Sequence, residues 1–218
     1  MLAPLPDYAE AVVCDEKQVQ ARINEMARQI ARDYKTVMLP GEQLMLICIL
    51  KGSYIFTADL SRALSQMGCE NYVEFMCVSS YGKGAESSGE VRMLLDLRNP
   101  INGQHVLIVE DIVDTARTMH FLIGLLNQRN PKSLKVCTLL DKPSRRVMKD
   151  VKVQYVGFEI PDKFVIGYGM DYAERYRNIG GVYVLKKSEY DGSKQALEKH
   201  QETTKNRLKP TINVKAKL

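Results

Sequence analysis

Two hydrophobic rhythms alternate along the chain. In CDEKQVQARINEMARQIARDY, which begins at Cys14, apolar residues recur every three or four positions, and Val19, Ile23, Met26, Ala27 and Ile30 share one face. Asp15 and Gln18 stand at capping-box spacing at its start, so the pattern predicts an amphipathic helix. QLMLICIL (Gln43–Leu50) is short and continuously apolar, as expected of a strand buried on both faces. KGSYIF then leads into a second helix through Asp59–Met67, which Gly68 can end. Further strands are predicted at Tyr72–Tyr81, VRMLLDL, HVLIVED, Leu134–Asp141, Val153–Ile160 and VYVLKK. A third helix over Thr115–Gln128 turns Met119, Leu122, Leu125 and Leu126 inward. Aliphatic strands alternating with helices predict an α/β fold with a mainly parallel sheet, whose ligands bind at the carboxyl ends of the strands.

Composition narrows this picture without changing it. The 218 residues suffice for one domain with a substantial core. No apolar run approaches the roughly 20 residues of a membrane helix, and MLAPLPDYAE lacks the features of a secretory signal, so a soluble protein without a membrane partner is expected. Five cysteines without CxxC spacing argue against a disulfide framework and for a reducing compartment. The three histidines are scattered and suggest no zinc site. The net charge of +5 lies entirely in residues 192–218, where seven Lys/Arg face two Glu. The body before it carries 24 basic and 24 acidic side chains (31 minus seven, 26 minus two), so no basic face for nucleic acid is expected.

The chemistry concentrates in VLIVEDIVDTART (Val106–Thr118), where four aliphatic residues lead into Glu110, Asp111 and Asp114. Three carboxylates this close can collect Mg²⁺, which prefers oxygen ligands. Adjacent carboxylates can equally accept hydrogen bonds from neighbouring ribose hydroxyls, while the amides and hydroxyls of DTART, at a helix start, bind a phosphate. A plain acidic turn capping a helix is the third reading. These residues alone leave the three open. Neither GxGxxG nor GxxxxGK[ST] occurs, so a dinucleotide or P-loop site is unsupported.

The same stretch resembles the 5-phosphoribosyl-1-pyrophosphate (PRPP) motif of type I phosphoribosyltransferases: apolar residues, two acids, then Asp-Thr-x-x-Thr. LKGSYIF resembles the family's pyrophosphate loop, and SSYG before a Gly-rich segment resembles its mobile lid. LLDKPS and FEIPDKFVIGYGMDYAERYRN resemble the purine and pyrophosphate elements of the hypoxanthine-guanine (6-oxopurine) branch. The likeness runs in order from about Leu44 to Leu185. It implies the type I fold: a twisted, mainly parallel sheet flanked by helices, with a small hood built from N- and C-terminal segments. It also implies a transferase domain over residues 1–191 with a lid at about 80–91, followed by a basic tail at 192–218 expected to be flexible.

The resemblance assigns roles as well. Glu110 and Asp111 would hold the ribose 2- and 3-hydroxyls, and through those hydroxyls stand indirectly near the metal. Asp114, Thr115, Ala116, Arg117 and Thr118 would bind the 5-phosphate. Lys51 and Gly52, after a cis Leu50–Lys51 peptide bond, and Arg177 would take pyrophosphate, and Asp171 would ligate the cofactor Mg²⁺ at the purine's edge. Lys142 would donate to the 6-oxo group, Phe164 stack on the ring and the Val165 backbone meet its edge, while Ser80 and Tyr81 begin the lid. Asp114 would be the catalytic base for N7 of the purine. Many members carry Gly-Lys where this chain has Ala116-Arg117, which bears on phosphate affinity.

The implied activity is purine salvage: hypoxanthine or guanine, with xanthine undecided, plus PRPP giving IMP or GMP (XMP) and pyrophosphate. Alternatives are a regulatory nucleotide-sensing homologue and a relative using another base; Lys142, suited to an oxo group, argues against adenine. A homodimer or homotetramer is implied. The terminal Ala216-Lys217-Leu218 is a conservative variant of a peroxisomal address, so the import receptor is an expected partner and a peroxisome or glycosome the expected location, with the cytoplasm otherwise.

Overall fold

The central strands bury both faces, and this explains their unbroken apolar runs. In β2 (Leu44–Leu50), Leu44 and Leu46 enter one core, while Met45, Ile47 and Ile49 enter the other. In β5 (His105–Val113), Leu107 and Val109 face the first core and Val106 and Ile108 the second. The computed structural model describes residues 5–80 and 91–191. Before β2 come β1 (Ala9–Cys14) and α1 (Glu16–Lys35), and between β2 and β5 come α2 (Tyr54–Gln66), β3 (Asn71–Ser80) and β4 (Val91–Leu95). After β5 follow α3 (Arg117–Asn127), β6 (Ser133–Asp141), β7 (Tyr155–Glu159), β8 (Val165–Ile166) and β9 (Val182–Leu185).

Six strands form the main sheet in the order β4-β3-β2-β5-β6-β7. Every neighbouring pair is parallel except β3 with β4. One face is covered by α1 and α2 through Val19, Ile23, Met26, Ala27, Ile30, Phe56, Leu60 and Leu64. The other is covered by α3 through Met119, Leu122 and Leu126. Asp15 caps α1 in a full capping box with Gln18, as the spacing predicts.

Strands β1, β9 and β8 make a separate three-stranded antiparallel sheet, the hood formed by the two ends of the domain. The hydrophobic pattern alone marks neither β1 nor β8. Strand β1 is half exposed, with three exposed positions in a row, and β8 is two residues long. Several boundaries differ from expectation: α2 starts at Tyr54 and not Asp59, β7 spans Tyr155–Glu159 of the expected Val153–Ile160, and β9 ends at Leu185. Strand β5 runs two residues beyond the predicted HVLIVED, to Val113, with Glu110 and Asp111 inside its carboxyl end as that strand had them. Helix α3 starts at Arg117 instead of Thr115, because Ala116 takes a left-handed conformation. Of the lid expected at about 80–91, residues 81–90 lie outside the described residues, as do the tail and Ala216-Lys217-Leu218. No helix among the described residues is long and apolar enough to cross a membrane.

Candidate functional site

The carboxyl ends of β2, β5 and β6 and the loop before β9 converge on two adjoining cavities. The larger, of about 460 Å³, is lined by Lys51, Gly52, Glu110, Asp111, the 114–118 loop, Asp171 and Arg177, among others. The smaller, of about 250 Å³, is lined by Asp111, Ile112, Asp114, Lys142, Phe164, Val165, Met170 and Asp171. Asp111, Ile112, Asp114 and Asp171 line both, so one ligand can span them. Every expected site residue within the described side chains is brought here. Ser80 ends β3, while Tyr81 falls outside the described residues.

The acidic pair is held by its own backbone. The Asp111 amide donates to Glu110 Oε1 at 3.2 Å and the Ile112 amide to Asp111 Oδ1 at 2.7 Å. Burial pushes the Glu110 carboxyl well above the usual carboxylate range, and the neighbouring Asp111 charge adds to it. Burial likewise raises Asp111, opposed by the Glu110 hydrogen bond, backbone amides and the Arg177 charge. Two acids whose charge is costly where they stand gain from hydroxyl donors, as a ribose supplies. Glu110, Asp111 and Asp114 do not converge as a metal cage: among the described residues, no group of three His, Cys, Asp or Glu side chains does.

Gly52 makes room for this pair. A Cβ there would lie 1.6 Å from Asp111 Oδ2, so no larger residue fits without moving the carboxylate. Next to it the Leu50–Lys51 peptide bond is cis, as the resemblance implies. Gly169, at φ +100°, packs so closely that a Cβ would meet the Gly52 carbonyl at 1.9 Å. Through this contact the loop that carries Asp171 and Arg177 rests on the loop that carries Lys51.

Past Val113, the chain turns through Asp114 and Thr115 to Ala116, at φ 62°. That residue stands where the family often has glycine, in a conformation that favours glycine. The first turn of α3 follows, beginning at Arg117. The Thr115 carbonyl accepts from the Val147 and Met148 amides, both at 3.1 Å, which fixes the loop from outside. Asp114 Oδ1 accepts from Arg145 Nε at 2.9 Å, and Arg145 also reaches Asp162 at 3.3 Å.

In the smaller cavity, Lys142 is buried, with its ammonium 3.7 Å from Asp162 Oδ1. Phe164 is 38% exposed. It is backed by Tyr190, stacked at 4.9 Å and 24°, and by Tyr172, edge-on at 5.8 Å. A partly exposed ring held from behind offers its free surface to a planar ligand. Arg177 donates to the Gly169 carbonyl at 2.8 Å and pairs with Asp171 at 2.8 Å, and Asp171 also accepts the Glu174 amide at 2.8 Å. Arg145, Asp162 and Glu174 also belong to this region, with no motif of their own in the sequence to mark them. Each is exposed and charged, and only the fold shows what it pairs with.

Comparison with known proteins agrees with the geometry. Residues 13–173 match the model of the phosphoribosyl transferase domain. The chain is 50% identical to the hypoxanthine-guanine phosphoribosyltransferase of Leishmania donovani over 85% of this chain and 88% of that protein. It is 47% identical to the enzyme of the same name from Crithidia fasciculata, over 87% of this chain and 92% of that protein. Among solved structures it resembles the hypoxanthine phosphoribosyltransferase of Trypanosoma cruzi in complex with the product IMP. The TM-score is 0.78 and the identity 47%, covering 84% of this chain and 98% of that one. The chain therefore belongs to the phosphoribosyltransferase family, in its hypoxanthine-guanine branch.

Proposed function

We propose that this protein is a purine-salvage transferase. It joins hypoxanthine or guanine to the ribose 5-phosphate of PRPP, giving IMP or GMP and releasing pyrophosphate. The observation that carries this reading is that Asp111 and Asp114 line both cavities, so the sugar-binding and base-binding halves meet at one point. Glu110 and Asp111 hold the ribose hydroxyls, and the Asp114–Thr118 loop holds the 5-phosphate with backbone amides, which carry no desolvated charge of their own. Lys51, Gly52 and Arg177 take pyrophosphate. Lys142 donates to the 6-oxo group, Phe164 stacks on the ring and the Val165 backbone meets its edge.

Bond formation between N9 and C1 of the ribose makes the purine cationic and its N7 proton acidic. Asp114 then accepts that proton as general base, a contribution of roughly 10²–10⁴-fold. The ribosyl centre develops oxocarbenium character that water would intercept, so a lid formed by Ser80, Tyr81 and the segment to about Val91 excludes it. Asp171 fits Mg²⁺. Its oxygens already accept Arg177 and an amide but keep lone pairs, and this ion commonly takes one carboxylate together with substrate phosphates. When bound, Mg²⁺ neutralises charge on the leaving pyrophosphate.

A spectrophotometric assay with hypoxanthine, guanine, xanthine and adenine tests the reading. Nucleotide forms from hypoxanthine and guanine only when PRPP is present, and not from adenine; no turnover with either oxopurine would refute it. The xanthine arm decides whether XMP is also a product. We further propose a homodimer or homotetramer. We propose too that Ala216-Lys217-Leu218 engages the peroxisomal import receptor for delivery to a peroxisome or glycosome. Deleting Leu218 then abolishes organellar import, and unchanged distribution would reject that address.

A further inference from the structure

Glu174 stands where it can compete with the leaving group. Its carboxylate bridges the two cations at the pyrophosphate end of the larger cavity: Oε2 lies 3.1 Å from Lys51 Nζ and Oε1 lies 3.4 Å from an Arg177 guanidinium nitrogen. It is held there by its backbone, not by packing. Ala173, Glu174 and Tyr176 all have positive φ, at 51°, 62° and 75°, and the Glu174 amide donates to Asp171 Oδ2 at 2.8 Å. Lys51 and Arg177 hold the Glu174 carboxyl below its usual range, in that order of influence. Lys51 and Glu174 are both more than half exposed, so the pair is cheap to break.

We propose that Glu174 is an affinity-setting residue for pyrophosphate: a built-in anion that occupies the same two cations and limits how tightly a diphosphate is held. The proposal rests on the transferase reading above and deepens it. A diphosphate binding at Lys51, Gly52 and Arg177 must displace or share those contacts with the carboxylate. The carboxylate returns as pyrophosphate leaves. Its charge, close to Asp171, also repels the arriving anion. Binding of PRPP is weakened by the same contact, and release of the product is eased.

The test is calorimetric titration of pyrophosphate, with MgCl₂ present, into the full chain and into its Glu174→Gln variant. Glu174→Asn serves as a second variant, because asparagine tolerates the left-handed backbone. Tighter binding by both variants, by about three- to tenfold and with the gap narrowing as salt rises, is expected from removing one partly screened charge. A lower kcat together with a lower KM for PRPP accompanies it. Equal or weaker binding by the variants would overturn this proposal alone, and would make Glu174 a support for Arg177. Pyrophosphate failing to bind the unaltered chain would overturn the transferase reading and this proposal with it.

Discussion

The two ends of strand β5 carry buried ionisable groups and treat them in opposite ways. At its start, His105 is 5% exposed, with Nδ1 2.7 Å from Ser133 Oγ and Nε2 3.7 Å from Glu42. Around it Glu42 pairs with Lys132 at 2.6 Å, and Tyr155 donates to Asp33 at 2.8 Å. At its other end Glu110 and Asp111 sit side by side, and the hydrogen bonds that hold them come from neighbouring amides. A cavity of about 470 Å³ opens near the His105 end as well, but Ala31, Met38, Leu39, Pro40 and Met67 are prominent in its wall. Size does not mark the active end. What marks it is two adjacent carboxylates whose charge burial makes costly, together with a glycine at Gly52 that leaves room for one of them.

The largest expected effect that separates the ends is chemical. Asp114→Asn is expected to lower kcat by roughly 10²–10⁴-fold while PRPP still binds, read by steady-state kinetics and calorimetry. Leu46→Ala, at a fully buried position of β2, acts in the opposite sense. It is expected to cost about 2–5 kcal/mol of stability in urea unfolding and to leave kcat per folded molecule near that of the parent. Gly52→Ala falls between them. Its methyl group would displace the Asp111 carboxylate, raising KM for PRPP at least about tenfold and costing roughly 1–3 kcal/mol of stability.

The pH responses of the two ends should have opposite signs. Glu110 is raised by burial, so its contribution favours the fold while it is protonated and is lost as pH rises through the raised value. Glu110→Gln should therefore gain on the parent as pH climbs from the ordinary glutamate range toward neutral. His105 is lowered, chiefly by burial, so the unfolded chain takes up protons first and stability falls as pH drops below about 6.5. His105→Gln should flatten that decline. Urea titrations at a series of pH values check both, and parallel curves for either variant would contradict the assignment. The smallest effect belongs to Arg145→Met. It breaks exposed ion pairs to Asp114 and Asp162 and should cost less than about 1 kcal/mol in the same unfolding measurement.

Legibility in the sequence followed periodicity. Helix α1 and strands β2, β5 and β6 announce themselves because a two-faced core demands continuous apolar runs and a one-faced helix demands a stripe. Strands β1 and β8 do not: half exposed or two residues long, they have no period to display, and only family likeness led to the hood. Glu110-Asp111 and Asp114–Thr118 stood out because their spacing is local, whereas Lys51, Lys142, Phe164, Asp171 and Arg177 were implied only by the family resemblance. The pairings of Arg145 with Asp114 across 31 positions and Lys51 with Glu174 across 123 have no local trace, since the fold alone brings them together. Ala116 could be seen as a departure from glycine, but its left-handed backbone needed coordinates.

A crystal structure of the protein with IMP tests the central claim most directly. The account predicts both ribose hydroxyls within hydrogen-bonding distance of the Glu110 and Asp111 carboxylates, about 2.5–3.0 Å. It also predicts the phosphate against the amides of Thr115–Thr118 and N7 of the base beside Asp114. A nucleotide bound away from this loop, or one whose ribose hydroxyls turn from both carboxylates into solvent, would contradict it.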